Sequence, residues 1–142
     1  MRKGFTLIEL LIVLAVMAAL MAIATPIALN AVARANVMRV ASNMRNIKSA
    51  IESYVSIERP SDTSGLDLDI DDLVDSGYLS ANPGNEYEMK VDNANWATKG
   101  EVIVTISYTG NDVDTTKLQE AYPDVKIVNN TPTITLTLRK WW

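Results

Sequence analysis

The residue in this chain with the clearest chemical potential is Glu9. It is the only ionisable side chain between Phe5 and Leu29, a stretch otherwise interrupted only by Thr6, Thr25 and Pro26. From Leu10 to Ala24 no side chain is polar or charged. A carboxylate deep in a membrane helix costs about 2.5–3.5 kcal/mol, and such residues are functional by default. The plainer account places Glu9 near the interface, where the positive helix end and snorkelling tolerate it. A second candidate is the acidic run Asp67, Asp69, Asp71, Asp72 and Asp75. Its D-x-D-x-D spacing invites a calcium reading. The loop departs from the helix-loop-helix calcium pattern, with Asp72 at the glycine position and Tyr78 at the bidentate glutamate. The competing expectation is a short helix, Asp71 to Ser76, with acids in its first turn and Gly77 as its C-cap.

The chain has neither histidine nor cysteine. Disulfides, lipid attachment at cysteine and thiol chemistry are excluded, as are the commonest general base and metal ligand. No phosphate-cradling glycine loop or assisted nucleophile is present. The expectation is a protein without enzyme activity, metal or cofactor.

Glu9 needs an element to position it. Phe5 to Leu29 is long enough to cross a hydrocarbon core as a helix, which takes about 20 apolar residues. Arg2 and Lys3 flank it on one side, so the positive-inside rule puts Met1 in the cytoplasm and the C-terminus outside. A secretory signal peptide would have a shorter apolar run and no acid, although Ala22-Ile23-Ala24 and Ala31-Val32-Ala33 offer small-x-small cleavage sites. A plain single-span anchor is the other alternative.

Lys3-Gly4-Phe5-Thr6-Leu7-Ile8-Glu9-Leu10 resembles the processing and methylation motif of type IV prepilins and type II secretion pseudopilins, and the similarity extends through Pro26. The resemblance implies cleavage between Gly4 and Phe5, methylation of the new Phe5 amine, and pairing of Glu9 with the N-terminal amine of a neighbouring subunit. Gly4, lacking a side chain, suits a tight protease site. A desolvated ion pair is favourable only when both partners are present, so register would become a condition for leaving the bilayer. Pro26 has no N–H for the carbonyl of Ala22, and a kink or locally unwound stretch is expected there. The partners implied are a prepilin peptidase and methyltransferase, an inner-membrane assembly platform, and further copies in a helical filament. The implied location is the bacterial inner membrane, single pass with a cytoplasmic N-terminus, and then an extracellular or periplasmic filament.

Beyond Leu29 charge returns. Val37, Val40, Met44, Ile47, Ile51 and Tyr54 recur at three- and four-residue steps, one face of a helix. This predicts one helix from Phe5 to about Ile57, ended by Arg59-Pro60 because residues before proline avoid the helical region. Alternation predicts strands around Tyr87–Val91, Val102–Tyr108 and Ile134–Leu138, with Val125 and Ile127 as a shorter one. Asn129-Asn130 suits a tight hairpin, and Asn129 also begins an N-x-T sequon, a pattern common by chance. Asp114 to Ala121 reads as a short helix. The expected fold is α+β: a long N-terminal helix, half in the membrane and half packed against a three- to four-stranded antiparallel sheet. The expected divisions are a leader at 1–4, a membrane or filament-core helix at 5–29, an amphipathic half at 30–59 and a head at 60–142.

Asn30 to Arg59 carries five basic and two acidic side chains, whereas Pro60 to Trp142 carries six basic and fourteen acidic ones. An acidic head argues against nucleic acid as a direct partner, since that affinity rests on clustered Lys and Arg. The basic helix side is expected to be solvated or to face another subunit. Trp141 and Trp142 are expected to pack at an edge or to form a sticky terminus. The function expected is that of a filament subunit, a pilin; a pseudopilin is the alternative, and a membrane-anchored adhesin or enzyme a remote one. Many pilins close a C-terminal loop with a disulfide, which this chain cannot do, so its last strands must be held by packing.

Overall fold

The computed structural model describes residues 3–142; Met1 and Arg2, the first half of the expected leader, lie outside the described residues. Helix α1 runs Leu7–Glu58. The chain divides into two compact units, residues 1–35 and 36–142, and α1 contributes to both.

In the first unit α1 is apolar all round from Leu10 to Ala24, and Leu10, Leu14, Met17, Leu20, Ile23 and Ile27 are all exposed. The helix is long and apolar enough to cross a membrane, and its most apolar window is entirely unburied. A helix of this kind needs a non-aqueous surrounding to hide its side chains. The helix continues through Pro26 without a break, so the unwinding expected there is not part of this conformation. Proline removes a single bond, and the turns on either side are rich in Ala, Leu and Met, the strongest helix formers. Beside it, the Thr25 hydroxyl donates to the Met21 carbonyl at 2.8 Å.

In the second unit, α1 buries Val37, Val40, Met44, Ile47 and Ile51 as its spacing predicts, together with Ala41, Ala50 and Val55. The partner surface is an antiparallel sheet of β1 (Tyr87–Asp92), β2 (Glu101–Tyr108), β3 (Lys126–Val128) and β4 (Thr131–Arg139), in the order β1-β2-β4-β3. Val102, Val104, Ile106 and Tyr108 on β2 and Ile134 and Leu136 on β4 point into the shared core. Their register is set by pairs such as Val104 with Leu136 and Ile106 with Ile134. Asn129 and Asn130 take φ of 49° and 64°, the left-handed pair that a two-residue hairpin requires.

Three elements differ from expectation. The short acidic helix, α2, is Ile70–Asp75, one residue earlier than read, with Asp69 as N-cap and Ser76 as C-cap. Gly77 follows with φ 78°, left-handed one position beyond the cap, where glycine carries no Cβ penalty. Helix α3, Trp96–Lys99, lies in a segment for which periodicity predicted nothing. Its Trp96 is buried and its indole N–H donates to the Pro60 carbonyl at 3.1 Å. The third strand is shifted: Val125 is buried but precedes β3, while Ile127 lies exposed on the sheet edge. Helix α4, Thr115–Ala121, matches its expected range and is capped by Asp114, which accepts from Thr116 N and Lys117 N.

Candidate processing and assembly site

The N-terminal site is built on the first turn of α1. Thr6 precedes the helix, and Glu9 is in its first turn. The Thr6 backbone N–H and hydroxyl donate to Glu9 Oε2 at 2.7 and 2.9 Å, and the Glu9 backbone N–H donates back to Thr6 Oγ1 at 3.3 Å. This is a reciprocal capping box, which satisfies donors that a helix start would otherwise leave open. Sequence reasoning treated Thr6 only as an interruption. The signal was present in Thr6-Leu7-Ile8-Glu9, which fits the T-x-x-E signature.

Lys3, Gly4, Phe5 and Glu9 border a shallow surface hollow of about 230 Å³. Gly4 and Phe5 precede α1, and Phe5 is 87% exposed. A Cβ built on Gly4 would meet nothing within 4 Å. Nothing in the described residues therefore requires a glycine there for packing.

The second unit places the acidic run and the basic helix side. Asp69 and Asp72 cap α2 reciprocally, each backbone N–H donating to the other's carboxylate at 2.9 and 3.0 Å. Asp71 accepts from the Asn82 side chain at 2.6 Å. Among the described residues no group of three or more His, Cys, Asp or Glu is placed to hold a metal.

The basic side of α1 was expected to be solvated or subunit-facing. Arg39 and Arg45 are exposed, and three of its cations also bond within the head. Arg39 pairs with Asp112 at 2.6 Å and Lys48 with Asp124 at 2.8 Å. Arg45 donates to the Ala121 carbonyl at 3.0 Å and lies 4.5 Å over the Tyr122 ring. The charge asymmetry of the sequence is thus partly matched inside one unit. Asp112 also accepts from the Tyr108 hydroxyl. That bond, aided by Arg39, holds the Asp112 carboxyl below the ordinary carboxylate range. Burial, and then the same Asp112, push the Tyr108 hydroxyl up. The Lys48 hydrogen bond lowers Asp124 in the same way.

A membrane-length apolar helix with one carboxylate in its first turn, continued as the packing helix of an antiparallel sheet, defines a class of anchored α+β proteins. The comparisons narrow that class. The family model "Prokaryotic N-terminal methylation motif" matches residues 1–25. Over 55 residues the chain is 49% identical to the type IV major fimbrial protein FimA of Dichelobacter nodosus, covering 39% of this chain and 35% of that one. Over 55 residues it is 44% identical to the fimbrial protein EcpB of Eikenella corrodens, with the same coverage of 39% and 35%. The chain therefore spans 35% of the length of these curated relatives. No solved structure matches. In its N-terminal motif and its fold the chain is type IV pilin-like, and its named relatives are fimbrial proteins, not enzymes.

Proposed function

We propose that this chain is a structural subunit, a pilin, of a type IV pilus-like filament. Residues 1–4 act as a leader, removed between Gly4 and Phe5 by a prepilin peptidase that leaves a methylated Phe5 amine. Residues 5–29 store the subunit in the bacterial inner membrane with its N-terminus cytoplasmic. Residues 30–59 carry the head, 60–142, on the outer side. An inner-membrane platform then moves subunits from bilayer to filament, where Glu9 meets the amine of a neighbouring copy.

The observation that carries this reading is an exposed apolar first half of α1 that bears one carboxylate, in its first turn. In a plain anchor that charge would serve only the capping box with Thr6. A filament whose core is built from such helices gives it a further use, because each new end supplies a cation for the carboxylate of another copy. Gly4, unconstrained by packing, fits a peptidase that needs access to the backbone beside Phe5.

The test is electron microscopy of sheared surface material, with intact mass of its subunit. Surface filaments whose subunit begins at methylated Phe5 are expected. A subunit that starts at Thr25 or Arg34 would place the chain among secreted proteins. Filaments confined to the periplasm would select the pseudopilin alternative.

A further inference from the structure

Loop 109–113, between β2 and α4, ties the head to α1 where the second unit begins. Thr109 anchors it at one end: its backbone N–H and hydroxyl both donate to the Glu86 carbonyl, at 2.8 and 3.1 Å. Asp114 anchors it at the other as the N-cap of α4. Between these points the chain passes so close over the buried Tyr108 side chain that a Cβ on Gly110 would collide with its hydroxyl. That close approach carries Asp112 onto α1. One carboxylate oxygen accepts from the Tyr108 hydroxyl and the other pairs with Arg39 at 2.6 Å. The Asp112 carbonyl accepts from the Asn36 side chain at 3.4 Å.

The boundary between the two units falls at Ala35 and Asn36. Val37 is the first buried side chain of α1. The helix is continuous across this boundary, but its sequence provides for an end there. Pro26 already removes one bond of the ladder. Asn36 is a preferred N-cap type and a poor interior one. Its Oδ1 takes no bond among the described residues. If the carbonyls before it were lost, that oxygen would be free to accept from the backbone N–H of Met38 or Arg39. The Asp112 carboxylate would then stand in the first turn of the new helix end, where the dipole favours an anion.

We propose that Asn36 and loop 109–113 form a helix stop: unwinding of α1 that begins in its apolar half ends at Asn36 and leaves the core of the head intact. Each unwound residue would lengthen the chain by about 2 Å, from 1.5 Å in a helix towards roughly 3.5 Å when extended. The stop lets that segment change length while the head keeps its packing. It goes beyond the filament reading and is measured on the isolated subunit, so it stands or falls without it.

The test is amide hydrogen exchange on the full-length chain in detergent micelles. Rates are taken relative to Val102 to Ile106 on β2, which report opening of the whole head. Ala31→Gly, Ala33→Gly and Ala35→Gly together weaken α1 just before the stop. They should speed exchange at Ala31 to Ala35 at least tenfold and change Val40 to Met44 less than twofold. Asn36→Ala with Asp112→Ala should also leave Val40 to Met44 within twofold, because a continuous helix needs no stop. All five changes together should speed exchange at Val40 to Met44 at least tenfold. No rise at Ala31 to Ala35 in the glycine variant overturns the proposal, and so does a tenfold rise at Val40 to Met44 in that variant. A relative rate in the five-fold variant no higher than in the glycine variant overturns it as well. A gentler pair keeps the loop intact. Added to the glycines, Asn36→Ala should speed exchange at Val40 to Met44, and Asn36→Ser, which still caps, should not; equal rates from the two overturn the stop.

Discussion

Thr6 and Glu9 are joined through one oxygen: both Thr6 donors meet Glu9 Oε2, and among the described residues Oε1 takes no bond. The capping box thus occupies half of the carboxylate and leaves the other half open to a cation from outside. Thr6→Val should remove the hydroxyl bond and loosen the start of α1 by about 1 kcal/mol, the usual worth of an N-cap. The expected result is slower filament growth, with Thr6→Ser close to wild type. Equal growth of the Val and Ser variants would deny Thr6 this role.

Residues 36–142 carry the whole of the buried core. A fragment of residues 31–142 should therefore be soluble, monomeric and cooperative in thermal unfolding. Aggregation without a cooperative transition would show that the core needs the apolar segment.

That fragment should lose stability in acid. The Asp112 and Asp124 carboxyls lie below their ordinary value in the folded head and return to about 3.9 when unfolded. A depressed folded value means stabilisation that is complete above the ordinary value and is lost as pH falls through the folded one. Asp112→Asn should flatten this acid limb and cost at most about 1 kcal/mol at neutral pH, because the Arg39 pair is partly exposed and screened. Thermal melts between pH 2 and 7 would check both; an unchanged acid limb would contradict the assignment.

Trp96→Phe should leave the Pro60 carbonyl without its buried donor, at a cost of about 1–3 kcal/mol. For a domain of this size each kcal/mol lowers Tm by roughly 4–8 °C. A Tm within a degree of wild type would mean that the indole bond is not structural.

The reach of sequence reasoning followed the range of the forces involved. The α1 stripe and the alternation of β2 and β4 are local periodicities, and they appear in the fold where expected. Ala41 and Ala50 were not legible as core because alanine is found on both faces of helices. Helix α3 is only four residues long and is held by Trp96 reaching Pro60, 36 positions away. The ion pairs made by the exposed basic side of α1 were not legible for a similar reason, since Asp112 and Asp124 lie more than 70 positions from Arg39 and Lys48. At the N-terminus the motif residues were legible, but the Thr6 bond to Glu9 was not recognised.

The central claim is that the Glu9 charge couples storage in the membrane to assembly. Glu9→Val removes a charge from the bilayer, so the subunit should insert and accumulate at least as well as before. In the filament the neighbouring amine would lose its partner, and an unpaired buried charge costs several kcal/mol. The deciding measurement is the ratio of sheared filament to membrane subunit in Glu9→Val against wild type. The account predicts a normal membrane pool and a filament fraction reduced at least tenfold; an unchanged ratio would contradict it.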